Sequence, residues 1–157
     1  MTQHMPSGAT LVVAADHGGF ELKDHLVDLL RERGRQVEDL GTNGPDSVDY
    51  PDFAALVASR VQAGEADFGV LVCSTGIGMS IAANRFRGVR AAVCTSAYMA
   101  RMARAHNDAN VLCLGGRVVG AGLAGDILEA FLRQGFEGGR HTRRIEKFEN
   151  PDRRESP

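Results

Sequence analysis

The sequence predicts an α/β fold in which a five-stranded parallel sheet is covered by helices on both faces. Three observations predict it. Apolar runs of strand length alternate with helical patterns along the chain. The runs are apolar throughout, as strands buried on both faces must be. Five successive strand-then-helix units leave a parallel sheet as the natural arrangement.

Residues 10–15, TLVVAA, form the first predicted strand. Over 20–33, Leu22, Leu26, Leu29 and Leu30 recur at helical spacing, and Gly34 ends the helix. A second strand is read at 36–40. The loop TNGPDSVDY follows, and Pro51 suits the first turn of the next helix, marked by Phe53, Leu56, Val57 and Val61. The third strand spans 68–73 and a helix 77–87. The fourth strand is predicted at 89–94, with a helix at 97–106. The fifth is predicted at 110–115, followed by helices at 123–133 and 140–149.

At 157 residues the chain has the length of one domain, expected to span 1–157 with frayed tails at 1–8 and 151–157. Its 43% apolar and 24% charged residues are ordinary for a globular protein. A formal charge of −2 gives no reason to expect nucleic acid or an anionic membrane as partner. No apolar run approaches the length of a spanning helix, and the opening MTQHMPSG lacks the apolar core of a signal peptide. Three cysteines, Cys73, Cys94 and Cys113, lie in or at the end of apolar runs. That pattern suits a reducing, cytoplasmic setting without structural disulfides.

In open α/β sheets ligands bind at the carboxyl ends of the strands. The rule selects Asp16-His17-Gly18-Gly19, the segment from Cys73 to Ser80, Thr95-Ser96, and Gly115 to Arg117. The segment CSTGIGMS is the most informative. A strand runs into Cys73, and Gly76 and Gly78 then allow close backbone approach before a helix starts. Amides at a helix start attract negative charge, and a thiol beside them becomes a better base or nucleophile. Cys94 and Cys113 read as buried structural cysteines. Asp16 and His17 can bond sugar hydroxyls or share a proton; the plainer reading makes Asp16 a helix cap. His106-Asn107 ends a helix, where a protonated imidazole is favoured and a proton shuttle is plausible chemistry; it is equally a simple helix-end histidine.

Several motifs are excluded. GIGMSI has Ile81 where a dinucleotide fingerprint needs a third Gly or Ala, and no P-loop is present. A Cys-based phosphatase needs an Arg six residues after the Cys, where Met79 stands. In GGRHTRRIEKFE, Arg140 and Arg144 lie on one helix face and could clamp a phosphate, with His141 and Arg143 nearby. The same helix could equally be a solvated face paired with Glu146 and Glu149. Histidines at 4, 17, 25, 106 and 141 lack ligand spacing, so no metal is expected.

The segments AADHGGFELK, DLGT, VDYPDFA, GVLVCSTGIGMSIAANR, AHNDANVLCLGGRVVG and GGRHTRRIEKFE occur in this order and cover most of residues 11–149. The chain thereby resembles the type B ribose-5-phosphate isomerase family, which also includes the galactose-6-phosphate isomerase subunits. The resemblance implies a Rossmann-like three-layer α/β/α sandwich and a homodimer, with a tetramer as the larger alternative. It implies no metal, no other cofactor, and interconversion of an aldose and a ketose phosphate through an enediolate.

Carried onto this chain, the family's pattern makes Cys73 the base between C2 and C1, with Thr75 assisting transfer between the oxygens. Backbone amides of Ser74, Gly76, Ile77, Gly78 and Ser80 would hold the enediolate oxygen. Asp16 and His106 would assist ring opening, Asn107 would orient sugar oxygens and Tyr50 would line the pocket. His17, Arg140 and Arg144 would grip the phosphate, with Arg117 and His141 as weaker candidates. The family builds each site from two subunits, so the arginine helix is expected to serve a neighbour. Ser74 stands where many members have Gly. Four- or six-carbon phosphosugars, and a non-catalytic sugar-phosphate-binding module, remain the competing readings.

Overall fold

A computed structural model describes residues 8–150; the expected tails, 1–8 and 151–157, lie outside the described residues apart from Gly8. Five strands, β1 (Thr10–Ala15), β2 (Gln36–Asp39), β3 (Phe68–Cys73), β4 (Ala91–Val93) and β5 (Val111–Gly115), form one parallel sheet in the order β2-β1-β3-β5-β4. Six helices connect or flank them: α1 (Phe20–Glu32), α2 (Tyr50–Gln62), α3 (Ile77–Ala83), α4 (Ala97–Asn107), α5 (Ala121–Arg133) and α6 (Arg140–Glu149).

The helices sort onto two faces because strand side chains alternate. Val70 and Val72 of β3 join Leu26 and Leu30 of α1, Ala100 of α4, and Ile127, Leu128 and Phe131 of α5. Leu71 and Cys73 turn the other way, into a layer with Val57 of α2 and Met79 and Ala83 of α3. Cys73 is thus a core residue on the α2/α3 side whose position at the strand end brings it to the rim. Register places Cys73 beside Gly115 of β5, and Val72 beside Ala15 of β1. The carboxyl ends of three central strands therefore meet.

Two elements are shorter than expected by more than one residue. α3 stops at Ala83 rather than 87. Arg85 and Phe86 donate to the carbonyls of Ala82 and Ala83, a tightened last turn, and both amide groups of Asn84 turn away to pair with the backbone of Ala91. β4 covers Ala91–Val93 rather than 89–94. Val89 donates to Phe86, and the Arg90 N–H is taken by the Asn110 side chain, so ladder pairing with β5 starts only at Ala91. α5 begins at Ala121, two residues before the expected start at 123.

α4 runs back along the sheet and ends beside the start of the strands. The guanidinium of Arg104, one turn from its end, lies 4.8 Å from the ring of Phe68, the first residue of β3. α6 packs on α4 at that same end.

Candidate active site

The loop after β3 is built around the sulfur. Gly76 adopts φ +81, a left-handed conformation that a side chain resists, and a Cβ there would lie 3.0 Å from the carbonyl carbon of Leu114. This turn aims the Gly76 N–H at Cys73 Sγ, 3.0 Å away. The Ile77 N–H donates to Thr75 Oγ1 at 3.3 Å, and the Ser80 hydroxyl donates to the Ile77 carbonyl at 2.8 Å. The N–H groups of Gly78 and Met79, in the first turn of α3, have no carbonyl to meet within the helix. Cys73 itself is 6% exposed.

The β1 loop is fitted against this one. The Asp16 N–H donates to the Val72 carbonyl, and Gly116 and Arg117 donate to the carbonyls of Cys73 and Ser74, tying the β1, β3 and β5 ends together. Asp16 Oδ1 accepts the Gly18 N–H at 2.8 Å, a local turn and not a helix cap of the usual kind. A Cβ on Gly18 would sit 2.3 Å from Ser74 Oγ, so the serine side chain and the Gly18 backbone share one space. The ring of Tyr50, first residue of α2, lies over Gly78. His17 Nδ1 accepts the Val48 N–H at 3.2 Å. A neutral ring that accepts at Nδ1 carries its proton on Nε2. A cleft of about 470 Å³ beside these loops is lined by His17, Arg117 and the first turns of α1 and α5.

The structure therefore brings together Asp16, His17, Tyr50, Cys73, Ser74, Thr75, Gly76, Ile77, Gly78, Ser80 and Arg117. It does not bring His106, Asn107, Arg140, His141 or Arg144 to them within one chain. Those five lie at the amino-terminal end of the sheet, a strand length away, about 16 Å for the six residues of β3. Asn107 opens instead onto a cleft of about 660 Å³ walled by Arg85, Arg87 and Arg90.

At that second end His106 and His141 stack with ring centroids 4.3 Å apart and planes 9° apart. Each Nε2 is 3.8 Å from the same oxygen of Glu137, a residue that the sequence did not single out. The His141 Nε2 is buried without a hydrogen-bond partner. Burial, then His106, Arg140 and Arg144, push the His141 pKa down, against an upward pull from Glu137. Among the described residues this is the group whose ligand atoms approach within 4.8 Å. Its geometry fits a metal poorly, because parallel imidazoles send their in-plane lone pairs out side by side and not toward one point. Arg140 and Arg144 are exposed and have no ion-pair partner among the described residues; Glu149 is engaged by Arg90 instead. Charge is left available on the α6 face.

All three thiols are free and buried. Burial raises Cys94 to about 11 and holds Cys113 well above the ordinary thiol range, so neither ionises at neutral pH. Cys73 is the one at a strand end with a donor on its sulfur.

An all-parallel α/β sheet with a thiol, a carboxylate and an imidazole converging at its carboxyl edge defines a small-molecule enzyme. The chain belongs to the ribose/galactose isomerase family, whose model matches residues 11–148. It is 50% identical over 136 residues to ribose-5-phosphate isomerase B of Escherichia coli strain K12, covering 87% of this chain and 91% of that one. A Clostridium thermocellum ribose-5-phosphate isomerase B structure matches with TM-score 0.90 and 52% identity over 91% of this chain and 97% of that one. A Mycoplasma genitalium ribose-5-phosphate isomerase B, solved with bound ribulose-5-phosphate, matches with TM-score 0.88 and 42% identity over 93% and 97%.

Proposed function

We propose that this chain interconverts D-ribose 5-phosphate and D-ribulose 5-phosphate through an enediolate, with Cys73 as the base. One observation carries the reading: in a chain of this family, Cys73 ends β3 with the Gly76 N–H 3.0 Å from its sulfur and Asp16 in the adjoining loop. Cys73 takes the proton from C2 of the open-chain aldose and returns it to C1. The Gly76 N–H gives the thiolate a donor before it takes the proton and again after it has returned it. The carbonyl oxygen turns anionic as the proton leaves, and the amides of Gly78 and Met79 would receive it; the Ser80 amide, expected in this role, donates to the Gly76 carbonyl instead. Thr75 Oγ1 moves the proton between the O1 and O2 oxygens. His17, with its proton on Nε2, donates to the phosphate.

Ring opening by Asp16 and His106, and the Asn107, Arg140, Arg144 and His141 contacts, require a second copy of the chain. A two-fold partner would lay its α4/α6 end on the Cys73 loop. Exposed apolar side chains suit such an interface. Ile77 and Ile81, one turn apart on α3, are 56% and 63% exposed, and Tyr98 and Met99 open α4 beside the same edge. No described helix is long and apolar enough to cross a membrane. Free buried thiols suit the reducing cytoplasm.

The family description names both ribose and galactose, so a six-carbon phosphosugar is the second reading. Comparing kcat/KM across four-, five- and six-carbon aldose phosphates tests the choice. Preference for ribose 5-phosphate is expected; a preference for another length would replace the assigned substrate while leaving the chemistry in place.

A further inference from the structure

Lys23 is fully buried, beside Phe131 among the largest side chains so buried in the described residues. A buried ammonium is tolerated only when its donors are met. Here they are: Nζ lies 2.6 Å from Asp39 Oδ2, 2.7 Å from Asp24 Oδ1 and 3.1 Å from Asn43 Oδ1. Asp39 and Asn43 accept hydrogen bonds from the ammonium, and Asp24 adds an ion pair. Two of those acceptors, Asp39 and Asn43, flank the start of loop 40–49, which joins β2 to α2.

What that loop touches is the active site. Asp39 uses its other oxygen to accept the Gly41 N–H at 2.9 Å. Gly41 and Thr42 then pair with both backbone groups of Ala15, at 2.7 and 2.8 Å, directly before Asp16. Farther along, Val48 N–H donates to His17 Nδ1. One buried cation thus fixes the near end of a loop whose far end orients an imidazole in the site. An apolar chain of similar length could fill the space of Lys23 but could not grip Asp39 and Asn43 together.

We propose that Lys23 is a positioning residue for the active site: from inside the fold it holds loop 40–49 in place, and the loop keeps His17 in the tautomer that carries its proton on Nε2. The consequence for catalysis rests on the reading of His17 as a phosphate donor given above; the tautomer itself does not.

The test is nitrogen-15 NMR of the histidine rings in the full-length protein, read beside steady-state kinetics. Wild type should show His17 as a single Nε2–H tautomer. Lys23→Met should shift it to a mixture, with the far-ultraviolet circular dichroism spectrum unchanged as the control for general loosening. The KM for ribose 5-phosphate should rise roughly 10-fold, the scale of one charge-assisted hydrogen bond, with kcat changed less. Because Lys23→Met strands the Asp39 charge, the Lys23→Met, Asp39→Asn double variant is measured alongside; it leaves no unpaired buried charge and should give the same mixture. A mixture with unchanged KM would uphold the positioning and overturn the phosphate role of His17. A single Nε2–H tautomer retained in whichever variant folds overturns the proposal.

Discussion

The Gly76 N–H points at Cys73 Sγ from 3.0 Å, and it does so only because Gly76 stands at φ +81. The sulfur and its donor are three residues apart and are set by one backbone turn. Gly76→Ala should therefore cost about 1–3 kcal/mol of stability in a urea melt. It should also lower kcat about tenfold or more, with a smaller change in KM. A variant that loses stability but keeps full kcat would remove the Gly76 amide from the chemistry.

Gly18 and Ser74 occupy one space, since a Cβ on Gly18 would lie 2.3 Å from Ser74 Oγ. Gly18→Ala should lower kcat/KM by about tenfold through displacement of the Cys73 loop. Adding Ser74→Gly removes the nearest obstacle and should recover part of the loss, though not all, because the Ser74 N and Asp16 Oδ1 remain 3.2 and 3.3 Å away. Additive losses in the double variant would contradict this coupling.

If each site draws Cys73 from one subunit and the α6 arginines from the other, two dead variants should complement. Cys73→Ala and Arg140→Ala/Arg144→Ala are each expected to be inactive alone. After co-refolding, random pairing should leave about a quarter of sites with both parts intact. Activity near that fraction, read against a wild-type control refolded the same way, is the expected outcome. No recovery in mixed dimers verified by mass would place both parts in one chain's site.

His141 gives a pH signature. Its folded pKa lies below the ordinary 6.5, chiefly through burial. The unfolded chain thus binds more protons than the folded one between those two values, so stability is fully present above about 6.5 and is lost as pH falls through the folded value. The wild-type protein should lose more stability than His141→Gln between about pH 7.5 and pH 5. Parallel losses would show that His141 is not the linked group.

Much of the fold was legible because the central strands are continuous apolar runs bounded by chemistry-bearing loops. β1 and β3 begin and end where TLVVAA and FGVLVC do. β4 was read too long because Val89 is apolar and buried, yet its backbone serves a turn. Burial and ladder pairing are separate properties at a sheet edge. Asp16, His17 and the Cys73 loop were legible for a simple reason: the carboxyl-end rule needs only strand ends. The distance between Cys73 and His106 was not, since it follows from α4 running back along the sheet. Glu137 reads as a solvated acid in FEGGR until it meets two histidines. Lys23 reads as helix surface beside Leu22, and its acceptors at 39 and 43 are invisible to local periodicity.

The most direct test of the central claim follows the proton. Ribose 5-phosphate is incubated in deuterated buffer with wild type and with Cys73→Ala, and label in the sugar is read by NMR. Wild type should carry solvent deuterium onto the transferring carbons as isomerisation proceeds. Cys73→Ala, folded by circular dichroism and still binding the phosphosugar, should exchange and isomerise more slowly by about 10²- to 10⁴-fold or more. Exchange by Cys73→Ala at near the wild-type rate would contradict Cys73 as the base.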